Sequence, residues 1–360
     1  MTTTNNTTTR TCTRCNNVFP VTAFRVRTDG RTVFWCNPCF TAYSRERRAR
    51  IATGAVTPRT GRTASRTLVS AADLTYGVEL EYGNITTGAA AAVIASVVGG
   101  VAGSYCQREN GHTANGHAVV ASDGRRWICE YDSSISGFEF GTAEIVSPVL
   151  KGAADMELLQ KIVRALRAAG AQVNHSTGLH VHVGVSSWKV ARSTVAHFAA
   201  VQDAAYEACQ VISARTQWAA KLPAWKVSEL TACSTDASLR RAWYGCSQTV
   251  ANAKAQKYHG SRYRGINLCS FWRQGTVEFR LFNSTTHAGK VRAAVQFALA
   301  LVAAAHNAVD VFPVTADRAG MAACLDSLGL QGDGAATVRH HFLARWDADD
   351  AADDAAHRAA

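Results

Sequence analysis

The chain has 360 residues, more than one hydrophobic core usually organises, so we expect one large domain with a small appendage. Apolar residues make up 47% and charged residues 18%, which excludes a wholly disordered chain. The net charge of +11 is uneven: residues 1–72 hold twelve Arg against Asp29 and Glu46, which leaves 26 basic and 25 acidic residues for 73–360. The large domain is therefore nearly neutral and needs no polyanionic partner, and any nucleic-acid affinity would lie in the N-terminal segment.

Cysteine usage and the longest apolar run indicate the compartment in which the chain works. Eleven Cys is an odd number, and the opening MTTTNNTTTR has no signal-peptide pattern, so we expect reduced thiols and a cytoplasmic protein. The most apolar run is residues 293–305. It is too short to cross a bilayer, which takes a helix of about 20 residues. We therefore expect a buried helix there and no contact with a membrane.

Residues 10–50 contain two C-x2-C pairs. Cys12 and Cys15 are followed after twenty residues by Cys36 and Cys39, a spacing at the upper end of zinc-site templates. Four thiolates complete a closed tetrahedral zinc shell, and about forty residues bury too little apolar surface to fold without such a metal. A redox C-x2-C pair or unpaired thiols is the alternative. The spacing predicts a structural Zn²⁺ held by the four cysteines.

The same stretch, TCTRC, VFWCNPCF and TAYSRERRAR, resembles the zinc ribbons of phage and bacterial proteins, HNH endonucleases among them. It lacks the His/Asn/His pattern of such a nuclease next to the cysteines. Its basic helix, residues 42–50, could contact nucleic-acid phosphates or a protein partner, and a solvated arginine face is the alternative. Residues 51–72 are rich in Thr, Arg and Gly without an apolar period, which indicates a basic flexible linker.

From residue 73 the pattern changes to strands and helices in mixed order. The predicted strands are 75–82, 127–131, 144–150, 178–185 and 276–282, and the predicted helices are 153–169, 189–220 and 288–309. This is not the regular alternation of a doubly wound fold, so we expect an α+β domain over 73–345 with a largely antiparallel sheet. Residues 84–126 fit no element, and the acidic tail 346–360 is expected to be disordered.

Three predicted strands carry ligand-type side chains at every second position. A strand sends alternate side chains to opposite faces, so each pair shares one face and apolar residues occupy the other. The pairs are Glu79 and Glu81 in YGVELEYG, His180 and His182 in TGLHVHVG, and Glu278 and Arg280 in TVEFRLF. One such strand is ordinarily an amphipathic strand with a solvated face, but these three carry metal-binding and phosphate-binding side-chain types. Bound divalent cations would stabilise so dense a cluster of charges.

Two further segments supply charged candidates. Asp132 and Glu144 lie in EYDSSISGFEFGTAEIVSP, where Glu144 begins a predicted strand and could add a carboxylate. The basic loop KAQKYHGSRYRGINL contributes Lys254, Lys257, His259, Arg262 and Arg264. This density of positive charge suits phosphate or carboxylate binding, with a solvated surface as the alternative.

Taken in order, E-x-E, EIVSP, GLHVH, RYRGIN and VEFR resemble the amidoligase family of the glutamine-synthetase and glutamate–cysteine-ligase superfamily, over about residues 74–310. The resemblance implies a curved antiparallel sheet, backed by helices, that forms a funnel lined with ligands for about two or three Mg²⁺ ions. The implied metal ligands are Glu79, Glu81, Glu144, His180 and Glu278. His182 would contact nucleotide or substrate, or remain a structural hydrogen-bonding residue.

The resemblance also implies the reaction, an ATP-dependent joining of a carboxylate to an amine. ATP would phosphorylate an amino-acid or peptide carboxylate, and an amine would attack the resulting acyl phosphate. Arg280 would contact the ATP phosphates and the phosphoryl group in transfer. Arg264, and with it Arg262, would clamp the substrate carboxylate or acyl phosphate, and Asp132 would orient the substrate or the amine.

Three other functions fit part of the pattern. A metal-dependent hydrolase could use the histidines and glutamates around zinc, without nucleotide. A guanidino-kinase-like phosphotransferase would make a phosphorylated product instead of an amide. A non-catalytic nucleic-acid-binding protein led by the zinc ribbon would keep its binding after loss of Glu79 or Arg280.

Overall fold

The computed structural model describes two compact units, residues 1–67 and 68–360, and each is considered by itself. The described residues are 9–26, 32–42, 46, 68–109, 112–245 and 258–347. Some sequence-based expectations lie outside them: most of the basic helix 42–50, the linker up to residue 67, Lys254, Lys257 and the tail from residue 348.

The N-terminal unit consists of two short antiparallel hairpins followed by a helical turn. β1 (Thr9–Thr11) pairs with β2 (Val18–Pro20), β3 (Phe24–Val26) pairs with β4 (Thr32–Cys36), and residues 37–42 are helical. Its buried centre is formed by Cys12, Phe24 and Cys36. So small an apolar centre cannot stabilise a fold of this length alone, which supports a metal as the missing source of stability.

The second unit is built on one nine-stranded sheet whose described pairings are all antiparallel. Its strands are β5 (Thr75–Gly83), β6 (Val101–Glu109), β7 (His112–Val120), β8 (Arg126–Glu130), β9 (Thr142–Val146), β10 (Leu150–Lys151), β11 (Gly178–Gly184), β12 (Ile266–Asn267) and β13 (Thr276–Asn283). The strand order is β12-β13-β11-β5-β9-β8-β7-β6, and β10 pairs with the start of β5. The predicted α+β class with an antiparallel sheet is confirmed.

Helices of this unit pack against the sheet and against one another. They are α1 (Thr87–Val98), α2 (Gly152–Ala168), α3 (Trp188–Ala208), α4 (Ala224–Thr231), α5 (Asp236–Tyr244), α6 (Cys269–Gln274), α7 (Ala288–Asn307), α8 (Arg318–Ser327) and α9 (Ala336–Leu343). α1 packs against β7, β8 and β9, while α7 packs on β11 and on α3. α7 is buried along most of its length because it is apolar on all sides, as the central helix of a core must be.

The helix predicted over 189–220 ends at Ala208 instead. Gln210 takes a left-handed backbone conformation with φ of 47°, which stops the helix, and a short 3-10 segment, Ser213–Gln217, follows. Asn283, at the end of β13, donates to the carbonyls of Cys209 and Gln210 and accepts from the Ile212 N–H. The side chain that satisfies this helix end therefore lies about seventy residues away in sequence, where no local pattern reveals it.

Two other segments differ from the sequence-based reading. Residues 84–126 were assigned no element from the sequence, and in the structure they form α1 and the long β6–β7 hairpin. The strand predicted over 144–150 is split into β9 and β10. Pro148 cannot donate to a strand ladder, and Ser147 turns its hydroxyl toward the Val78 N–H and the Pro148 carbonyl.

Candidate active site

Three neighbouring strands bring the predicted ligand pairs onto one face of the sheet. β11 lies between β5 and β13, and in the register His180 is opposite Glu79 and His182 is opposite Glu278. Directly opposed residues of antiparallel strands point to the same side. Pairs that lie about a hundred residues apart in sequence therefore meet on a single surface.

A β-bulge interrupts the pairing of β11 with β13 next to this face. Between Leu179 and Val181 of β11, the partner strand β13 advances from Phe282 to Phe279, so it carries one extra residue there. Arg280 lies two residues after Glu278 in β13, so it shares the ligand-bearing face with that carboxylate.

Glu79, His182 and Glu278 form a group that could hold a metal ion. One donor atom from each lies within 4.8 Å of the other two. His182 Nε2 is 3.2 Å from Glu79 Oε1, and His182 Nδ1 is 3.1 Å from Thr276 Oγ1. Two carboxylates with one imidazole suit a divalent cation such as Mg²⁺ or Mn²⁺, so the donor set fits.

His180 lies among three carboxylates. Its Nδ1 is 2.9 Å from Glu79 Oε2 and 3.8 Å from Glu278 Oε1, and its Nε2 is 3.6 Å from Glu81 Oε1. The resemblance favours His180 as the metal histidine, whereas the three-donor group contains His182. The structure thus keeps both histidines within reach of the acidic residues, and the choice between them stays a prediction.

Burial and neighbouring charges shift the pKa values of this cluster in different directions. Burial by itself raises the pKa of Glu79, but His182 and His180 outweigh it and hold that pKa well below its usual range. Burial also raises the pKa of Glu278, but Arg280 and His182 bring it down to about 2. These two carboxylates are therefore ionised, the state that a metal ligand needs.

Glu278 is held by two polar neighbours. Asn267 donates through Nδ2 to Glu278 Oε2 at 2.6 Å, and Arg280 contacts Glu278 Oε1 through Nη1. Asn267 is itself fixed, since its Oδ1 accepts the Cys269 N–H at 2.8 Å. The carboxylate is thereby oriented before any ligand binds.

A second acidic row extends across β5, β9 and β8. Glu144 is opposite Glu81 and also opposite Glu130, so three carboxylates follow one another across the sheet. Burial raises the pKa of Glu144 well above its usual range, and the charges of Glu79 and Glu81 add to this shift. Burial likewise raises the pKa of Glu81, although its Oε2 accepts the Gly178 N–H at 2.6 Å. An added cation would relieve the repulsion within this row.

Three residues predicted to contact the substrate lie outside the three-donor group, namely Asp132, Arg264 and Arg262. Asp132 is close enough to raise the pKa values of Glu81 and Glu144, and its Oδ1 accepts the Ser134 N–H at 2.7 Å. Arg264 donates to the Lys221 carbonyl at 3.3 Å, and the Arg262 guanidinium is 5.3 Å from the ring centres of Tyr258 and Tyr263. This segment touches the site through its backbone, because the Gly265 carbonyl accepts the Arg280 N–H at 2.8 Å.

Three residues at this site were not predicted from the sequence, namely Asn267, Glu130 and Arg215. Asn267 directly precedes the β12–β13 connection and follows RYRGI, so it could have been noticed as the polar end of that motif. Glu130 lies two residues before Asp132 and is half-buried. Arg215 lies in a segment predicted as helix, and its guanidinium lies above Gly178 on the ligand-bearing face. No local signal marks Arg215, because its place depends on the chain reversal after α3.

The four cysteines of the N-terminal unit also form a cluster. Their sulfur atoms all lie within 4.8 Å of one another. Burial raises the pKa of Cys12, but the N–H groups of Cys36, Cys15 and Arg14 outweigh it and bring the pKa to about 6, whereas burial and the neighbouring sulfurs raise that of Cys39 to about 12. Four thiolates cannot stay ionised side by side without a cation, and a tetrahedral sulfur set fits Zn²⁺. The cluster could hold zinc as the C-x2-C spacing predicts.

Comparison with known proteins places the larger unit. Residues 72–302, well over half of the chain, match the family described as "putative amidoligase enzyme". The chain belongs to this amidoligase family. The resemblance found in the sequence motifs is thereby confirmed, and a ligase is the kind of enzyme expected of the family.

Other comparisons add little to the amidoligase assignment. No curated protein matches the chain. A crystal structure of a bifunctional glutathione synthetase from Pasteurella multocida is similar over 76% of this chain and 47% of that chain, with 10% identity and a TM-score of 0.33. The chain therefore spans about half the length of that solved structure.

Among the described residues of the amidoligase unit, one helix has the length and composition of a membrane span. It is α7, Ala288–Asn307, and 78% of its most apolar window is buried inside the unit. Such burial is typical of the central helix of a domain core.

Proposed function

We propose that residues 73–345 catalyse the ATP-dependent joining of a carboxylate to an amine through an acyl phosphate. The observation that carries the proposal is the joint presence, on one face of β5, β11 and β13, of the Glu79–His182–Glu278 group and of Arg280 in a member of the amidoligase family. A carboxylate is a poor electrophile, and phosphorylating it requires several cations around the transferred group. Metal ligands beside an arginine supply this arrangement.

Each residue is assigned one task in this reaction. Glu79, His182 and Glu278 would hold one Mg²⁺, and Glu81, Glu144 and His180 would hold further Mg²⁺. Bound Mg²⁺ would orient the ATP phosphates and neutralise charge in the transition state. Arg280 stabilises the phosphoryl group in transfer, Asn267 keeps Glu278 oriented, and Asp132 orients the incoming amine. Arg264 and Arg262 stay assigned to the substrate carboxylate, reached from the segment whose Gly265 carbonyl accepts the Arg280 N–H.

The amine need not be known to test this proposal. Hydroxylamine traps acyl phosphates as hydroxamates, so ADP release and hydroxamate formation are measured together across a panel of amino acids and peptides, with Mg²⁺ and ATP. We expect at least one carboxylate to give both products in equal amounts. Glu81→Gln should lower the rate about 100-fold or more, because it removes one charge from the ligand set. Equal turnover by the parent and this variant would contradict the assignment.

A metal-dependent hydrolase is the second candidate. It is favoured by one observation, that the Glu79–His182–Glu278 group offers three protein ligands of the carboxylate and imidazole types that also bind catalytic zinc. The same panel separates the two functions, because a hydrolase would cleave an amide without nucleotide. A phosphotransferase would release ADP and leave a phosphorylated product that hydroxylamine does not trap.

For the N-terminal unit we propose a zinc ribbon over residues 10–50, held by Cys12, Cys15, Cys36 and Cys39, with a basic linker over 51–72. Its arginines, twelve in residues 1–72, suit a contact with nucleic acid or an acidic protein. We place the protein in the cytoplasm, where thiols stay reduced and ATP and Mg²⁺ are plentiful.

A further inference from the structure

One buried cation on the ligand-bearing face makes no ion pair with any residue that the structure describes. The side chain of Arg215 is 2% exposed. Among the described residues it makes a single hydrogen bond, from Nη2 to the Arg280 carbonyl at 3.0 Å, and no ion pair, and its Nε has no hydrogen-bond partner. A guanidinium has five N–H donors, so most of its binding capacity is unused.

Gly178 fixes where this guanidinium lies. A Cβ atom on residue 178 would be 2.2 Å from Arg215 Nη1, 2.4 Å from Nη2 and 2.6 Å from Cζ. Residue 178 points to the same face as His180, because the two are separated by one residue in β11. The glycine that begins GLHVH is therefore needed to leave room for the guanidinium of Arg215.

The charges around Arg215 are unevenly arranged along the strands. Glu81 attracts its charge and Arg280 repels it, and Arg280 is already paired with Glu278. The three-donor metal group lies toward the other end of β11, where His182 is opposite Gly77 and Glu278. The guanidinium of Arg215 thus lies at the Gly178 end of the face, whereas the group that could hold a cation, with Arg280 in contact with its Glu278, lies toward the other end.

An unpaired buried charge destabilises a folded protein unless another part of the molecule compensates for it. We propose that Arg215 is a positioning residue of this site, whose fixed positive charge favours an anionic carboxylate or phosphoryl group at the Gly178 end and weakens the binding of divalent cations by the neighbouring carboxylates. The inference rests on the proposed function for the identity of the anion, and on the structure alone for the effect on cations.

A cation and an anion should respond in opposite ways to loss of the Arg215 charge, so the affinities for both are measured. Binding of Mn²⁺ alone and of ADP with saturating Mg²⁺ is measured by calorimetry on the full chain and on Arg215→Met, which keeps an unbranched, flexible side chain of shorter length and removes the charge. We expect Mn²⁺ to bind about 3- to 10-fold more tightly and ADP about tenfold more weakly. Opposite changes are the signature of a field effect, because a loosened fold would weaken both.

Two further variants separate charge from structure. Arg192→Met is the matched control, since Arg192 is half-buried and donates to a backbone carbonyl, that of Cys233, away from the site. It should leave both affinities within about twofold. Gly178→Ala keeps the charge but displaces the guanidinium, so it should change both affinities in the same directions as Arg215→Met, and the double variant should show no further change.

Thermal unfolding of each variant identifies any loss of fold. We expect Arg215→Met to unfold at the same or a higher temperature, because it removes an unpaired buried charge. The inference is overturned if Arg215→Met weakens both ligands, changes neither, or behaves as Arg192→Met does. If the parent binds Mn²⁺ but not ADP, the nucleotide part of the proposed function fails and the Mn²⁺ result alone decides the role of Arg215. A parent that binds no Mn²⁺ overturns both proposals.

Discussion

His180 and His182 have different surroundings, although both leave the same face of β11. His180 is enclosed by the carboxylates of Glu79, Glu81 and Glu278. His182 shares the three-donor group with Glu79 and Glu278, and its second nitrogen is within hydrogen-bond distance of Thr276 Oγ1. A ring nitrogen held in this way fixes the orientation of the other one, which is how metal-binding histidines are usually supported.

At the residue scale we therefore expect His182→Ala to weaken Mn²⁺ binding at least about tenfold. The change removes one of three donors, and calorimetry with Mn²⁺ alone measures it. His175→Ala, at an exposed position, is the control and should bind Mn²⁺ as the parent does. A larger loss in His180→Ala than in His182→Ala would instead support the histidine that the family resemblance favours.

At the scale of elements, a buried histidine of α3 lies at the contact between α3 and α7. His197, on α3, is 7% exposed, its Nδ1 has no partner among the described residues, and it interacts with the Leu301 backbone of α7. Burial lowers the pKa of His197 in the folded protein, and the Leu301 carbonyl and Asp310 oppose this shift only in part. The folded state therefore favours the neutral ring.

This shift predicts a loss of stability in mild acid. Below about pH 6.5 the unfolded chain binds a proton at this histidine that the folded chain refuses, so the free energy of unfolding falls as pH falls. One such group contributes at most about 1.4 kcal/mol per pH unit. Urea unfolding between pH 7 and 5 should show a smaller loss in His197→Gln than in the parent, and an unchanged loss in His175→Gln. The same slope in all three proteins would contradict the assignment.

The sequence alone predicted the three strands that bear the candidate ligands. It did not predict the end of α3 or the position of Arg215. Alternation over YGVELEYG, TGLHVHVG and TVEFRLF defines β5, β11 and β13 closely, because each strand has one apolar and one charged face. The helix predicted over 189–220 was too long, since Asn283 ends α3 from a distant strand. Arg215 was not predicted as a site residue, because its position depends on where α3 ends. Its place is set by contacts between segments far apart in sequence, which no window of residues contains.

At the scale of the whole molecule, the chain combines an amidoligase unit with a small cysteine-rich unit. The charge follows this division, because twelve arginines lie in residues 1–72 while the remainder is nearly neutral. The two units have separate sources of stability. A large apolar core stabilises the second, whereas the buried centre of the first is small and lies beside the four sulfur atoms that could hold a metal.

We expect one zinc ion per chain, bound by the first unit. Elemental analysis of the purified protein should give one equivalent, and Cys15→Ser should lose it, because three thiolates no longer close the tetrahedral shell. Cys106→Ser is the control, since Cys106 is exposed and lies outside the cluster. Full zinc content in Cys15→Ser would show that the metal is bound elsewhere.

In the proposed reaction, an oxygen atom of the carboxylate leaves on the released phosphate. Once the hydroxamate panel has identified a carboxylate, it is prepared with ¹⁸O in both oxygens and turned over with ATP, Mg²⁺ and hydroxylamine as the amine, and the released phosphate is analysed by mass spectrometry. Attack of an amine on an acyl phosphate breaks the bond between the acyl carbon and the bridging oxygen, so each phosphate should carry one ¹⁸O. Amide formation with unlabelled phosphate, or product formation without nucleotide, would contradict the mechanism.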